Sequence, residues 1–346
     1  MNKPFSWIRF LSLFAILCAV MLTAVSVGSA ELSVVDSFYI LLHKIPYIGE
    51  KLNVSGLSGV YETIVWDVRM PRVLLSALTG GALAVVGAAY QGLFLNSLAD
   101  PHILGVSSGA ALGATAAMLS GVSVSFLGLG AIGVFAFAGA LITVFLVYAV
   151  AKPASGMSAV HLLLAGAAIS TLLSSVISLL MTFHHEQIVR VYLWTMGSFS
   201  SASWEKTAFL SVFVLLGTAV LWGGAGKLNI MLLGEEEAKC LGVDTGRLRR
   251  GFILASSALV AAAVSVSGII GFVGLIVPHC VRIVCGPDNR KVMPYGLLSG
   301  AVFLVICDTA ARTMAAPTEI PVGVVTSLFG APYFIALLLK KRGRQE

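Results

Sequence analysis

The stretch "RMPRVLLSALTGGALAVVGAAYQGLFLNSLADPHILGVSSGAALGA", Arg69 to Ala114, contains two apolar segments separated by a short polar break. Small residues recur at every fourth position from Gly80 to Gly92 in the first segment, and from Gly105 to Ala117 in the second. At this spacing they line one face of a helix and let two helices approach closely in lipid. The stretch therefore predicts two buried membrane helices, with a tight turn at Asn96–Pro101 and the Asp100-Pro101 pair opening the second helix.

The whole chain has the same apolar character. It is 58% apolar and 11% charged, with a mean hydropathy of +0.96, which lies far outside the range of soluble proteins. Apolar runs of roughly 20 residues, enough to cross a bilayer, predict an all-α polytopic membrane protein in one domain, residues 1–346. The predicted helices, about ten, lie near Trp7–Gly28, Val73–Leu95, Ile103–Leu119, Phe126–Ala151, Val160–Phe183, Thr207–Trp222, Phe252–Gly274, Val277–Cys285, Val292–Met314 and Val322–Leu339. The eighth of these, Val277–Cys285, is too short to cross the bilayer alone.

The first helix and the cysteines argue against a cleaved signal peptide and against a disulfide or zinc framework. Ser29-Ala30 after Gly28 loosely suits a signal-peptide cleavage site, but the apolar core is longer than the usual length of roughly 7–15 residues, so we expect a retained anchor. The five cysteines lie mostly inside predicted helices and contain no CxxC pair, which argues against a disulfide framework or a zinc site.

The distribution of Lys and Arg predicts the orientation in the membrane. If the chain starts inside and alternates through ten helices, 15 of the 22 basic residues fall on the inner side. Cytoplasmic loops carry an excess of Lys and Arg, so we expect both termini in the cytoplasm.

The same orientation puts a charged island, "GEEEAKCLGVDTGRLRR" (Gly234 to Arg250), on the cytoplasmic side. Three glutamates would occupy the first turn of a short helix, where the positive end of the dipole favours them. Gly242 would stop this helix after Leu241, and Gly246 would break the chain again. A solvated loop and a docking element for a soluble partner are both compatible with this composition.

Two Pro-His pairs indicate a faint internal duplication. Pro101-His102 and Pro278-His279 lie 177 residues apart, and the same offset carries Arg72 to Arg249, each at the start of a long predicted helix. Such weak repeats are common in transporters.

Several sequence matches to other chemistry fail in detail. "GGAGKL" (Gly223–Leu228) lacks the Gly and the Ser/Thr of a phosphate-binding loop. "GVSSG" (Gly105–Gly109), with His279 as an imagined base, resembles an intramembrane serine hydrolase, but a nucleophile elbow needs a preceding strand where a helix is predicted. "HHEQIV" (His184–Val189) lacks the second His of a zinc motif, so we expect His184 and His185 to be solvated at an outer helix end, with a role in substrate passage left open.

An ion-coupled secondary transporter is the remaining rival class. Such carriers usually place ionisable residues inside their spans. In this chain Asp308 and Arg312 lie near a predicted helix end, and Arg282 ends the short helix. A translocation path lined by small and apolar residues instead favours a large ligand that passes through without binding tightly.

Across Trp66 to Lys341 the chain resembles the FecCD-type permeases, membrane subunits of ABC importers for iron-siderophores, haem and cobalamin. Ser97, where the family usually has Pro, is a departure that loosens a turn. The resemblance rests on "RMPR" (Arg69–Arg72), "NSLADP" with "LGVSSGA" (Asn96–Ala110), "LLLAG" (Leu162–Gly166), "WTMGSF" (Trp194–Phe199), "LGEEEAKCLGV" (Leu233–Val243), "GFVGLIVPH" (Gly271–His279), "DTAAR" (Asp308–Arg312) and "EIPVGVVTSLFGAPYF" (Glu319–Phe334).

The resemblance implies a type II ABC importer permease bundle of ten helices with a weak internal repeat, located in the cytoplasmic (inner) membrane. It implies a homodimer, two ATPase subunits that bind ATP and Mg²⁺, an extracytoplasmic substrate-binding protein, and no cofactor on this chain. We expect no catalytic residue, no metal site and no nucleic-acid partner. An iron chelate, a siderophore or haem, is the expected substrate, with cobalamin or molybdate as alternatives.

Three groups of site residues follow from the resemblance. The coupling residues, within a cytoplasmic loop at about 227–250, fit a groove on the ATPase and are Leu233, Gly234, Glu235, Glu236, Glu237, Ala238, Leu241 and Gly242. The cytoplasmic gate is the loop at Ser158, Ala159 and Val160. The arginines that dock the binding protein are Arg69, Arg72 and Arg312, since guanidinium groups suit carboxylates. Ordinary interfacial anchoring of these arginines, or pairing of Arg312 with Asp308 one helical turn away, is the alternative.

Overall fold

The computed structural model describes residues 5–28, 32–44, 59–151 and 159–342, which are almost entirely helical. In chain order the elements are α1 (Trp7–Ser26), α2 (Val34–His43), α3 (Gly59–Thr63), a π-helical segment (Ile64–Arg69), α4 (Met70–Leu93), α5 (Val106–Ser120), β1 (Ser125–Phe126), β2 (Leu129–Gly130), α6 (Ala131–Val150), α7 (Ala159–Phe183), α8 (Ile188–Thr195), α9 (Trp204–Met231), α10 (Glu235–Cys240), α11 (Thr245–Ser267), α12 (Val273–Cys285), α13 (Asn289–Thr313) and α14 (Val322–Arg342).

Each of the ten predicted membrane helices corresponds to a helix of the structure, so the all-α polytopic architecture is confirmed. Within the described residues, seven helices are long and apolar enough to cross a membrane. Shorter apolar helices include α5, α12 and α14. The sequence missed α2, the hairpin of β1 and β2 that precedes α6, and α8.

Helix α4 lies at the centre of the bundle, where it packs against α13, α9, α12 and α11. Small residues make these contacts possible. A Cβ added at Gly80 would meet the Gly300 backbone of α13, and one added at Gly87 would meet the Gly274 backbone of α12. Helix α5 approaches α6 equally closely, because a Cβ at Gly113 would meet the Phe135 carbonyl. The prediction of two closely packed, buried helices is confirmed.

The turn between α4 and α5 is longer than predicted. Asp100-Pro101 does not open α5; the Asp100 carboxylate accepts a hydrogen bond from the His102 amide (2.9 Å), and α5 begins only at Val106. Gly105 precedes α5 with φ of +77°, a left-handed conformation that separates the turn from the helix. Pro278, by contrast, lies inside α12, so the two Pro-His pairs have different local structures.

The ends of the helices define two ends of the bundle. Trp66 accepts a hydrogen bond from the Trp204 indole (3.1 Å) through its carbonyl, so α9 begins where α4 begins. Helix α10 follows the opposite end of α9. We call these the arginine end, where Arg72 lies, and the α10 end. Tyr295 donates a hydrogen bond to the Ser6 carbonyl (2.9 Å) near the start of α13, which places the start of α1 at the α10 end. Helix α14 begins beside Gly197 at the arginine end and therefore finishes at the α10 end as well.

Candidate functional site

At the arginine end, Arg72 joins two carboxylates that are distant in sequence. Its guanidinium donates to Asp308 (2.9 Å to Oδ1) and to Glu319 (2.9 Å to Oε1). The Arg72 side chain is 11% exposed and that of Asp308 is 2% exposed. The paired charges join α4 to α13 and to the segment before α14. This triad was not predicted, because its members lie 236 and 247 positions from Arg72.

Arg69 and Arg312 cap the end of α1 at the same place. Arg69 donates to the carbonyls of Val25 (3.0 Å) and Ser26 (2.8 Å). Arg312 donates to the Val27 carbonyl (2.6 Å), and its Nε lies 3.9 Å from an Asp308 oxygen. The last carbonyls of a helix have no partner within the helix and carry the negative end of its dipole. The two arginines therefore stabilise the end of α1.

All three predicted docking arginines thus lie together, but with intramolecular acceptors. The pairing of Arg312 with Asp308 is present, at the longer of the two arginine distances to that carboxylate. Binding-protein docking by these arginines stays a prediction. It requires a glutamate of the partner to share or replace the present acceptors, and Glu319, whose side chain is 42% exposed, is the more accessible of the two carboxylates.

Beside this cluster, a cavity of about 1110 Å³ opens at the arginine end. Its cations are Arg190 and Lys206, its acid is Glu319, and seven serines lie among the apolar residues and glycines of the remaining wall. Lys206 donates to the Ser201 carbonyl (2.6 Å) and hydroxyl (2.9 Å). The cavity is large enough for a large ligand, and its wall has few charged groups that would bind such a ligand tightly.

At the opposite end, α10 is a short helix with a defined stop. Gly242 has φ of +80°, and its amide donates to the Lys239 carbonyl (2.9 Å), while the Val243 amide donates to the Ala238 carbonyl (3.0 Å). These two bonds form a Schellman motif, for which glycine is the favoured residue. The predicted stop after Leu241 is confirmed.

Gly246 does not break the chain, contrary to the prediction. It lies in the first turn of α11, which begins at Thr245 because the Asp244 carboxylate accepts a hydrogen bond from the Arg247 amide (2.9 Å). Asp is a strong helix N-cap and outweighs a single glycine in the first turn.

One glutamate of the island anchors α10 to α11. Arg249, itself buried, donates to Glu235 (2.9 Å), and the Thr245 hydroxyl donates to the same carboxylate (3.3 Å). The hydrogen bond from Arg249 is the main reason why the pKa of Glu235 lies below its usual range. Ala238 is fully buried on the same side. Helix α10 is therefore held in a fixed position.

The other side of α10 faces outward. Glu236 is 83% exposed and pairs with exposed Lys239 (2.9 Å), and Glu237 is exposed as well. Leu233 and Leu241 are large apolar residues that are also exposed, at either end of the helix. An apolar and acidic face on a fixed helix is suited to a protein partner.

The predicted gate is described only in part. Ser158 lies outside the described residues; Ala159 is the first residue of α7, and Val160 is exposed. Its role stays a prediction.

A partly buried polar network next to the α10 end was missed by the sequence analysis. Arg282 of α12 donates to the Ala88 carbonyl (3.2 Å) and to the Gln91 side chain of α4. Asn229 of α9 donates to Asp288 (2.6 Å) and accepts from the Asn289 amide (2.9 Å). The network joins the end of α9, three residues before Leu232, to the centre of the bundle. Single polar residues in apolar helices are its sequence signal.

The rejected serine site has no catalytic geometry. Ser107 contacts His102 (2.5 Å), and the other ring nitrogen of His102 lies 3.0 Å from the Ile270 carbonyl, so this ring is held by a serine and a backbone carbonyl rather than by a carboxylate. His184 and His185 are exposed after α7, as predicted.

Comparison with known proteins identifies the family. The FecCD transport family matches residues 15–340. The cobalamin import system permease protein BtuC of Halobacterium salinarum is 46% identical over 84% of this chain and 77% of that protein. The hemin transport system permease protein HmuU of Yersinia pestis is 43% identical over 92% of this chain and 99% of that protein.

A solved structure agrees in fold over nearly the whole length. It is described as an inward-facing conformation of a metal-chelate type ABC transporter, and it matches 96% of this chain and 99% of its own with a TM-score of 0.81 at 33% identity. With its helical bundle and these relatives, the chain belongs to the FecCD transport family and is a transmembrane permease of the ABC importer type.

Proposed function

We propose that this permease imports an iron chelate, a siderophore or haem, across the cytoplasmic membrane. The observation that carries this choice is the likeness to the hemin permease HmuU, which extends over 99% of that protein. The likeness to a metal-chelate type transporter supports it. The 1110 Å³ cavity at the arginine end has room for a ligand of this size.

Cobalamin is the second candidate, because the relative named for cobalamin import is 46% identical over 84% of this chain. Cobalamin is also a large metal chelate, so the same path would accommodate it. Transport into proteoliposomes that contain the complete transporter separates the two. We expect ATP-dependent accumulation of haemin or a ferric siderophore; accumulation of cobalamin alone would favour the second candidate and contradict the first.

We propose that two copies of the permease form the translocation path, fed by a substrate-binding protein and driven by two ATPase subunits that bind ATP and Mg²⁺. The exposed face of α10 supports the position of the ATPase: a fixed helix, anchored by Arg249, presents Glu236, Glu237 and two leucines to solvent. Movement of the ATPase pair would act on α10 and, through the neighbouring helices, on the bundle.

The proposed orientation puts the α10 end and both termini in the cytoplasm, since 15 of the 22 basic residues then lie inside. The arginine end would face the binding protein, and the Ser158–Val160 loop would serve as the cytoplasmic gate. Labelling with an impermeant maleimide tests this orientation, with a cysteine introduced at exposed Arg190 and the exposed Cys18 and Cys240 replaced by serine. We expect reaction from the extracytoplasmic side of oriented vesicles, and reaction from the cytoplasmic side alone would contradict the orientation.

Docking at Arg72 can be tested with two substitutions that should change the affinity for the binding protein in opposite directions. A glutamate of the binding protein would compete with Glu319 for the Arg72 guanidinium, so Glu319→Gln should strengthen the complex and Arg72→Gln should weaken it. Both effects should grow at low salt, because exposed charges are screened over about 10 Å at 0.1 M. Equal affinity of both variants and the parent would leave Arg72 with its structural role alone.

A further inference from the structure

A groove of about 590 Å³ lies between α1, α12, α13 and α14, at the α10 end of the bundle. Its walls are mainly apolar, with Leu13 and Ile16 on one side and Val277, Val281 and Phe329 opposite. None of its lining residues is acidic. It is separate from the cavity at the arginine end and from the exposed face of α10.

Several polar side chains on the groove wall already have partners. The Cys280 thiol donates to the Tyr333 hydroxyl (3.1 Å), the Ser12 hydroxyl donates to the Arg9 carbonyl (2.9 Å), and the Tyr295 hydroxyl donates to the Ser6 carbonyl (2.9 Å). An occupant would therefore gain little from polar contacts along the wall. The groove is suited to a hydrocarbon chain.

The mouth of the groove has the opposite character. Arg9 lines the groove and is exposed, and its guanidinium belongs to none of the ion pairs found among residues 5–28, 32–44, 59–151 and 159–342. A cation of this kind attracts an anion. Its position beside an apolar groove selects an occupant with a negatively charged head and an apolar tail.

Aromatic rings indicate the depth of this mouth in the membrane. Phe5 stacks on Tyr295 with ring centroids 5.2 Å apart, and Trp7 contacts both Phe5 and Phe10. Trp and Tyr are enriched at the membrane–water interface. Arg9, less than one turn further into α1, therefore lies at the level of the lipid headgroups, where basic pockets between helices bind anionic lipids.

We propose that this groove binds an anionic glycerophospholipid, with its acyl chain between α1 and α14 and its phosphate on Arg9. The lipid would come from the cytoplasmic leaflet if the α10 end faces the cytoplasm, as in the proposed orientation. The binding itself does not depend on that orientation. Bound lipid would connect α1 to α14, two helices from opposite ends of the sequence.

The test is native mass spectrometry of the purified transporter after incubation with equal amounts of dioleoyl phosphatidylglycerol and dioleoyl phosphatidylcholine. We expect phosphatidylglycerol to be retained in preference. Arg9→Gln should lower this preference about fivefold, the factor that corresponds to about 1 kcal/mol for one cation at an anionic lipid surface. Arg250→Gln, an exposed arginine at the same end but outside the groove, should leave it unchanged.

A second variant tests the groove itself. Ser299→Phe places a ring in the groove without removing a charge, so it should reduce the retention of both lipids. Equal losses in Arg9→Gln and Arg250→Gln, or full retention in Ser299→Phe, would overturn the proposal. So would a parent protein that retains no lipid and loses its association between copies in Ser299→Phe, because a second copy would then occupy the groove. Transport is not part of the readout, so these outcomes are independent of the proposed substrate.

Discussion

Arg72 and Arg249 lie 177 positions apart, each within the first two turns of a long helix and each paired with a carboxylate, yet their surroundings differ. Arg72 lies between Asp308, whose side chain is 2% exposed, and Glu319, whose side chain is 42% exposed. Arg249 is as buried, and its carboxylate partner Glu235 is 44% exposed, so this pair resembles Arg72 with Glu319 and differs from the buried pair of Arg72 with Asp308. One arginine joins helices inside the bundle, and the other holds a short helix on its surface.

This difference separates an arginine that joins buried parts of the bundle from one that positions an exposed acidic helix. Three arginines at the arginine end are engaged with carbonyls and carboxylates of the chain itself. At the α10 end one glutamate is used for anchoring, while Glu236 and Glu237 remain exposed. The face of α10 could therefore meet a partner while the Glu235–Arg249 pair stays intact.

The largest expected effect concerns the arginine end. Arg72→Met leaves Asp308 buried without its main cation, and the loss of one partner of a buried pair typically costs about 3–5 kcal/mol. We expect about 3 kcal/mol, since Arg312 remains 3.9 Å away. Thermal unfolding in mild detergent measures the change. Glu319→Gln is the matched control with a small expected effect; a comparably small loss in Arg72→Met would show that the triad does not stabilise the bundle.

Reversal of the exposed charge at the other end should act on coupling. Replacement of Glu236 and Glu237 by lysine should reduce the ATPase activity of the complete transporter severalfold if α10 contacts the ATPase, because the charge of the exposed face is reversed while the Glu235–Arg249 anchor is kept. The thermal stability of the isolated permease should change far less than in Arg72→Met. Unchanged ATPase activity with normal membrane insertion would argue against α10 as the coupling element.

A third variant sharpens the contrast between the two arginines. Arg249→Met leaves Glu235 solvated rather than buried, so we expect a global stability loss of about 1 kcal/mol or less. Coupling should fall nonetheless, since α10 loses its anchor. Measurements of unfolding and of ATPase activity on the same preparation separate the two effects. Arg250→Met is the control, and a stability loss as large as that of Arg72→Met would remove the distinction drawn between the two sites.

The smallest expected effect is a pH dependence at α10. The hydrogen bond from Arg249 holds the pKa of Glu235 below its usual range, so the carboxylate's contribution is complete above the unfolded value of about 4.3 and is lost as the pH falls through the lowered pKa. Hydrogen-exchange protection of α10, relative to intrinsic rates at each pH, should therefore decline in acid. Glu235→Gln should show a weaker decline; an identical pH profile would contradict this assignment.

The local features of the fold could be predicted because their causes are local. Small residues at every fourth position from Gly80 to Gly92 predict a buried helix, and Gly242 predicts the end of α10. Both features depend on neighbouring positions in the sequence. Where a local signal competed with another, the prediction was wrong: Asp244 outweighed Gly246, and Gly105 delayed the start of α5 beyond Pro101.

The contacts of the site could be predicted only in part. The three arginines were singled out through the resemblance and α10 through its charged composition, but the acceptors of those arginines come from distant segments, such as Asp308 and the end of α1. The periodicity of the sequence does not show which distant residues will pair. The Asn229–Asp288 contact was missed for the same reason, because each residue alone is an unremarkable polar position near a helix end.

The most direct test of the account uses a cysteine that α10 already carries. Cys240 is exposed at the end of this helix. A photoactivatable maleimide attached to it in the intact transporter should, on illumination, cross-link the permease to an ATPase subunit, and Cys240→Ser should abolish this product while exposed Cys18 remains. An intact complex in which Cys240 gives no ATPase adduct would contradict the claim that α10 faces the ATPase.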